Sequence, residues 1–140
     1  MSYSWILPDR LAQGSRPTYE DASRFDVVVL CAVEHQPSRT LFPSGVEVVH
    51  AGFDDARDPT REDLARAARA ARIVARRVHE GKRVLVTCRQ GRNRSGLVVA
   101  TALHLLTGAP GALAADHVKA RRDRALTNDA FVDALRELGT

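Results

Sequence analysis

The stretch that most constrains this chain is Val84-Leu85-Val86-Thr87-Cys88-Arg89-Gln90-Gly91-Arg92-Asn93-Arg94-Ser95-Gly96. A short β-branched run ends at a cysteine, a glycine follows three residues on and an arginine six on. An uncharged apolar run over residues 97–106 begins at once. A strand, a tight loop and a helix N-terminus in that order aim the loop amides and the positive end of the helix dipole at one point. A cysteine at the mouth of such a cradle has its thiolate form favoured, and the thiolate is the nucleophile. Arg94 adds a planar fork that matches a pair of phosphate oxygens. The chemistry implied is attack by sulfur on a bound phosphate ester.

The rest of the chain supplies the sheet that such a strand needs. Residues 5–7 and 11–12 read as short extended pieces around a turn at Pro8-Asp9, and residues 14–17 as a loop leading to a short helix near 18–25. Residues 27–31 are a continuous apolar run of the kind buried on both faces of a sheet. Residues 34–45 are polar, hold Pro37 and Pro43, and read as a surface loop, with a further strand at 46–50. The segment 52–59 is dense in turn formers. Thr60 and Asp63 then have the spacing of a capping box. Leu64, Ala67, Ala68, Ala71, Val74, Ala75 and Val78 form one helical stripe that Gly81 is placed to end. The arginines at 66, 69, 72, 76 and 77 on its other face are expected to be solvated. Two helices, at 112–122 and about 129–138, follow a break at residues 108–111. Strands interleaved with helices predict an α/β fold over residues 1–140, one domain. Its sheet is central, mostly parallel, of about four or five strands, and flanked by helices.

Composition excludes more than it identifies. The formal charge is +4, from 21 basic and 17 acidic residues, and 19 of the basic ones are arginine. That skew, with abundant alanine, is what a GC-rich bacterial coding sequence would be expected to give. No lysine run and no interleaving of arginine with aromatics is present, so stable nucleic-acid binding is not expected. The apolar run at 97–106 is too short to cross a bilayer, and residues 1–5 lack the basic start and apolar core of a signal peptide. With two cysteines, one of them a reactive thiol, the expected compartment is the cytoplasm. The histidines at 35, 50, 79, 104 and 117 have no metal-ligand spacing, so neither a metal nor a cofactor is expected. His104 reads as a satisfied core residue. Residues 91–96 lack the Gly-Lys-Ser/Thr ending of a nucleotide-binding loop.

A Cys-x5-Arg pair alone is weak in a chain so rich in arginine. Gly91 between the two residues and Ser95 after them make it specific. These residues resemble the cysteine-dependent protein phosphatases, in particular the compact dual-specificity group, whose motif is His-Cys-x-x-Gly-x-x-Arg-Ser/Thr. The likeness runs from Leu11-Ala12-Gln13-Gly14-Ser15 to Asn128-Asp129-Ala130-Phe131. It implies a dual-specificity-phosphatase-like fold and a two-step reaction through a phosphocysteine on Cys88. Arg94 and the backbone of residues 89–94 (Arg89, Gln90, Gly91, Arg92, Asn93 and Arg94) would hold the phosphoryl oxygens. Ser95 would bond the sulfur as it leaves. Thr87 stands where the family has a histidine that helps fix the loop and keep the thiol acidic, which predicts a slower nucleophile.

Monoester cleavage also needs a proton donor for the leaving oxygen. The resemblance places it on a loop about thirty residues ahead of the cysteine. Asp55, thirty-three residues before Cys88, is the preferred candidate, Asp54 the alternative and Asp58 a distant third. The implied partners are proteins phosphorylated on tyrosine, with phosphoserine and phosphothreonine as the extension a dual-specificity likeness implies. Arg89 and Arg92 raise the alternative of phosphoinositides or other polyanionic phosphates. A non-catalytic phosphate-binding module and a sulfur-transfer enzyme are the readings from other classes. Cys31 reads as core, with a reversible disulfide to Cys88 as its alternative.

Overall fold

A computed structural model describes residues 2–139. Five strands alternate with helices: β1 (Tyr3–Leu7), β2 (Leu11–Gly14), α1 (Tyr19–Ala22), β3 (Val27–Ala32), β4 (Glu47–Phe53), α2 (Arg61–His79), β5 (Val84–Thr87), α3 (Arg94–Thr107), α4 (Gly111–Arg121) and α5 (Asp129–Arg136). The sheet order is β1-β2-β5-β3-β4, with β1 antiparallel to β2 and every other pairing parallel. The expected α/β architecture is therefore present, and β5, the strand that leads into the cradle, is at its centre.

Why β3 and β5 take that place follows from their composition. All six residues of β3 and all four of β5 are buried, and each fully buried Val or Leu stabilises the fold by about 1.5–3 kcal/mol. The pleat divides them between two cores. Val27, Val29, Cys31, Val84, Val86 and Cys88 face the larger core, built with α2 to α5. Val28, Leu30 and Leu85 face a smaller one with Tyr3, Phe25, Phe42 and Val46. The central α3 buries residues 94–100 together with Ala102 and Leu103, so it runs through the larger core as its uncharged sequence predicts. His104 is partly buried, and its Nδ1 lies 2.7 Å from the Ala109 carbonyl.

Three local readings differ from the sequence expectation. Strand β4 does not stop at residue 50 but continues through Gly52 to Phe53. A side chain at Gly52 would meet the Val33 backbone at 2.8 Å, so glycine serves here to let two chains pass, not to turn one. The polar segment 34–45 is less of a free surface loop than expected: Phe42 is buried in the smaller core and Arg39–Leu41 form a 3-10 turn. Arg77 is not simply solvated, since its Nε and Nη2 donate to both Glu47 oxygens at 2.7 and 3.1 Å. That hydrogen-bonded pair ties α2 to β4 and holds the Glu47 carboxyl below its usual range.

The capping box at the start of α2 is complete: Thr60 Oγ1 accepts from Asp63 N at 3.0 Å, and Asp63 Oδ2 accepts from Thr60 N at 3.2 Å. Replacing Thr60 by alanine is expected to cost about 1 kcal/mol. In a thermal melt this reads as a loss of about 3 °C, while a melt that does not move would show the cap to be idle.

Candidate active site

The centre of the site is the loop between β5 and α3, and its backbone is held by unusual means. The Gln90 carbonyl accepts from Arg122 Nη2 at 3.2 Å. The Gly91 carbonyl accepts from Arg122 Nε at 2.9 Å and Gln13 Nε2 at 3.0 Å. The Arg92 carbonyl accepts from Leu126 N at 3.1 Å, and the Asn93 carbonyl from Leu97 N at 2.8 Å. Each carbonyl from 90 to 93 is thus tied to a neighbouring element. The N–H groups of residues 89–93 donate to no acceptor among the described residues. Asn93, the residue before α3, makes no side-chain cap to the helix. A row of free amides running into an open helix N-terminus is an anion-binding arrangement. Gly91 has φ +68°, and a side chain there would lie 2.4 Å from the Gly14 backbone, so the loop requires glycine.

Cys88 sits at the start of this loop, almost wholly buried, with its sulfur 3.2 Å from Ser95 Oγ. Two arginines lie within electrostatic reach of that sulfur. Arg94 comes from the first turn of α3, and Arg122 follows the end of α4. The Arg94 guanidinium donates end-on to Glu34, Nη1 to Oε1 at 2.6 Å and Nη2 to Oε2 at 2.8 Å, and Nη1 also reaches the Phe53 carbonyl at 3.2 Å. Its Nε is buried and has no partner among the described residues. One edge of the planar fork is therefore occupied by a carboxylate, and the side edge, Nε with the second Nη2 hydrogen, remains to meet an anion.

The aspartates arrive at the carboxyl end of β4. Asp54 and Asp55 both line a cavity of about 520 Å³ together with Val33, Glu34, Cys88, Arg89, Gln90, Arg92, Asn93 and Arg94. They are held differently. Asp55 accepts at Oδ2 from Asn93 Nδ2 at 3.1 Å and at Oδ1 from Asn128 Nδ2 at 2.8 Å. Asn128 also donates its side-chain amide to the Ala56 carbonyl, caps α5 through Oδ1, and donates its own backbone N–H to Asn93 Oδ1. The acidic loop, the cradle and α5 are therefore buckled together by two asparagines. Asp54 has no hydrogen-bond partner among the described residues, and neither Asp54 nor Asp58 takes part in that buckle.

Of the residues expected to share the site, Cys88, Arg94, Asp54, Asp55, Arg89, Gln90, Arg92 and Asn93 line one cavity, and Ser95 lies buried behind it against the Cys88 sulfur. Arg89 is exposed on its lip and Arg92 is half-buried. Thr87 is turned away, its hydroxyl donating to the Val29 carbonyl at 3.2 Å. Cys31 follows the residue that pairs with Thr87 across β3 and β5, and both cysteines are free. Burial pushes the Cys31 thiol well up.

Sequence reasoning passed over Glu34, Gln13, Arg122 and Asn128. Glu34 was readable in part, as an acid just past a fully buried strand, where ligand-binding groups collect. Gln13 was readable as the polar residue of an otherwise apolar strand. Nothing distinguished Arg122 among its arginine neighbours.

The hydrogen bond from Arg94 lowers the Glu34 carboxyl from 4.5 to about 2. A depressed carboxylate adds stability above its ordinary value and loses it as pH falls toward the depressed one. The stability difference between the wild type and Glu34→Gln is therefore expected to be constant above about pH 5.5 and to shrink between 4.5 and about 2. Chemical unfolding across that range measures it, and a difference independent of pH would mean that the pair contributes nothing.

No protein-family model matches the chain, and no curated protein does. Solved structures match over nearly all of it. Tk-PTP in its active form is 30% identical, with a TM-score of 0.83, covering 99% of this chain and 96% of that one. Human DUSP28 is 25% identical with a TM-score of 0.79, covering 98% of this chain and 92% of that one. DUSP15, at 18% identity and a TM-score of 0.81 over 98% and 86% of the two chains, shares the fold. A cysteine, an arginine and an amide-lined loop on this scaffold place the chain in the cysteine-dependent phosphatase superfamily, with the dual-specificity-phosphatase-like fold.

Proposed function

We propose that the protein hydrolyses phosphate monoesters of proteins, on tyrosine and on serine or threonine, through a phosphocysteine intermediate. The observation that carries this reading is the loop of residues 89–93. Its carbonyls from 90 to 93 are tied to neighbouring elements and its amides are free, immediately after Cys88. Such preorganised donors act on charge that develops at the phosphoryl oxygens during transfer, where they contribute most.

In the first step the Cys88 thiolate attacks phosphorus, and the bond from phosphorus to the ester oxygen breaks. The leaving oxygen keeps the electron pair and takes a proton from an aspartic acid. Spacing favours Asp55 as that acid, whereas hydrogen bonding favours Asp54. Both Asp55 oxygens are engaged by amides from Asn93 and Asn128, so neither is turned out to hand over a proton. We place Asp54 as the donor and Asp55 as the clasp that brings the loop over the cavity. In the second step water attacks the phosphocysteine and gives its proton to the Asp54 carboxylate. The sulfur–phosphorus bond then breaks, and its electron pair returns to a thiolate bonded by the Ser95 hydroxyl. The Arg94 side edge and the loop amides hold the phosphoryl oxygens throughout.

The cavity lining includes no aromatic residue and one apolar side chain, Val33, which supports a shallow site open to alkyl as well as aryl phosphates. Arg89 and Arg92 on the same cavity support a second reading, a polyanionic phosphate such as a phosphoinositide headgroup. A phosphotyrosine peptide assayed beside a soluble inositol phospholipid separates the two by kcat/KM.

Hydrolysis of an aryl phosphate is expected to be blocked by vanadate and to fall below about a thousandth in Cys88→Ser. Binding of phosphopeptide without any turnover would replace the enzyme by a capture module. On an alkyl phosphate, whose leaving group is basic, Asp54→Asn is expected to lower kcat about a hundredfold. Asp55→Asn should lower it far less, and the reverse order would return the proton to Asp55.

A further inference from the structure

We propose that Gln13 is the positioning residue of the nucleophile, holding the cradle carbonyls outward and turning the Ser95 hydroxyl onto the Cys88 sulfur. The role rests on the reading of Cys88 as the nucleophile. Gln13 lies in β2, opposite Val86 of β5, and the pleat puts it on the sheet face that carries Cys88. It is completely buried. An amide in that position is costly unless bonded, and the bonds it makes all go to the cradle. Its Nε2 lies 3.0 Å from the Gly91 carbonyl, 3.4 Å from the Arg92 carbonyl and 3.2 Å from Ser95 Oγ.

The direction of these bonds follows from chemistry. Turning the amide over would set its oxygen against two carbonyl oxygens, so the nitrogen must face the loop. An amide nitrogen cannot accept, so Ser95 Oγ accepts from it. The one hydroxyl hydrogen then remains for the sulfur 3.2 Å away. The chain Gln13 to Ser95 to Cys88 has a single polarity, and a hydrogen donated to sulfur favours the thiolate that attacks and later leaves.

Two further observations agree. Gln13 Oε1 is buried with no partner among the described residues. A glutamine kept only for packing would not leave half its amide unsatisfied, which makes the donor end the reason for its presence. Thr87, where the resembling family has its loop-fixing histidine, spends its hydroxyl on β3. The loop is instead fixed from the neighbouring strand. Arg94 lines the same cavity as Cys88 independently of Gln13, and the Ser95 hydroxyl stays beside the sulfur, so removal of Gln13 weakens the nucleophile without abolishing it.

The test is Gln13→Met, which keeps length and bulk and removes the donor. Iodoacetate alkylation of Cys88, at one fixed pH near neutrality, is expected to slow about tenfold, the size of one hydrogen bond to a charged group. With an aryl phosphate, kcat should fall about tenfold while KM stays within about threefold. In a Ser95→Ala background the same substitution should slow alkylation only about threefold or less, because the two residues act in series. Equal alkylation rates in the wild type and a folded Gln13→Met would overturn the proposal, as would an undiminished step in the Ser95→Ala background. If Gln13→Met does not fold, Gln13→Asn, which withdraws the amide by one methylene, is read in the same way. Alkylation needs no turnover, which keeps the two readings apart. Alkylation that depends on Gln13, without vanadate-sensitive hydrolysis, sinks the phosphatase reading alone. Vanadate-sensitive hydrolysis with alkylation independent of Gln13 sinks the role of Gln13 alone.

Discussion

Four successive peptide carbonyls, those of residues 90–93, are each bonded away from one point, and the site depends on that constraint. A peptide unit cannot turn its oxygen one way without turning its N–H the other. Tying the oxygens to Arg122, Gln13, Leu126 and Leu97 therefore aims the N–H groups of the residues that follow, 91–94, without any side chain touching them. Leaving the buried Gly91 carbonyl unbonded would cost about 1–3 kcal/mol, so that part of the loop is not free to relax. The anchors come from β2, from the segment after α4 and from α3, elements far apart in sequence. Leu126 and Arg124 accept left-handed backbone, at φ 58° and 60°, in the segment that passes over the loop. Gly91 accepts it where the loop packs against Gly14.

Parallel strand order explains why one cavity collects so many functions. Adjacent parallel strands end on the same side of the sheet, and ligand groups gather there. Here β5 delivers Cys88, β3 delivers Glu34 just beyond Ala32, and β4 delivers the two aspartates just beyond Phe53. The Glu34–Arg94 pair then joins the loop after β3 to the start of α3, while Asn93 and Asn128 join the acidic loop to the cradle and α5. Charge and shape are set together. The carboxylate that occupies one edge of Arg94 also directs its other edge, which fits the proposed role of that edge with phosphoryl oxygens.

Much of this was legible in the chain. Continuous apolar runs identify β3 and β5 as fully buried strands, because few other settings accept them. The Thr60–Asp63 spacing and Gly81 mark the ends of α2, since capping is local chemistry between residues close in sequence. What stayed hidden is long-range. Gly52 reads as a turn former until the approach of Val33 is seen. Arg77 reads as one solvated arginine among five until Glu47 of β4 lies beside it. The choice between Asp54 and Asp55 turns on two asparagine amides, one of them seventy-three residues from Asp55. Spacing along the chain carries no information about those partners.

The sequence by itself determined the class of fold and the cysteine loop, since both rest on contiguous patterns: the periods of strand and helix, and Cys88 with Gly91, Arg94 and Ser95 within eight residues. The tertiary structure decided how that loop is held and charged. Gln13 and Arg122 on its carbonyls, Glu34 on its arginine and Asn128 on its acidic loop are all contacts across distant parts of the chain. A hydrogen bond depends on where two groups lie in space, and only the packed sheet brings these together.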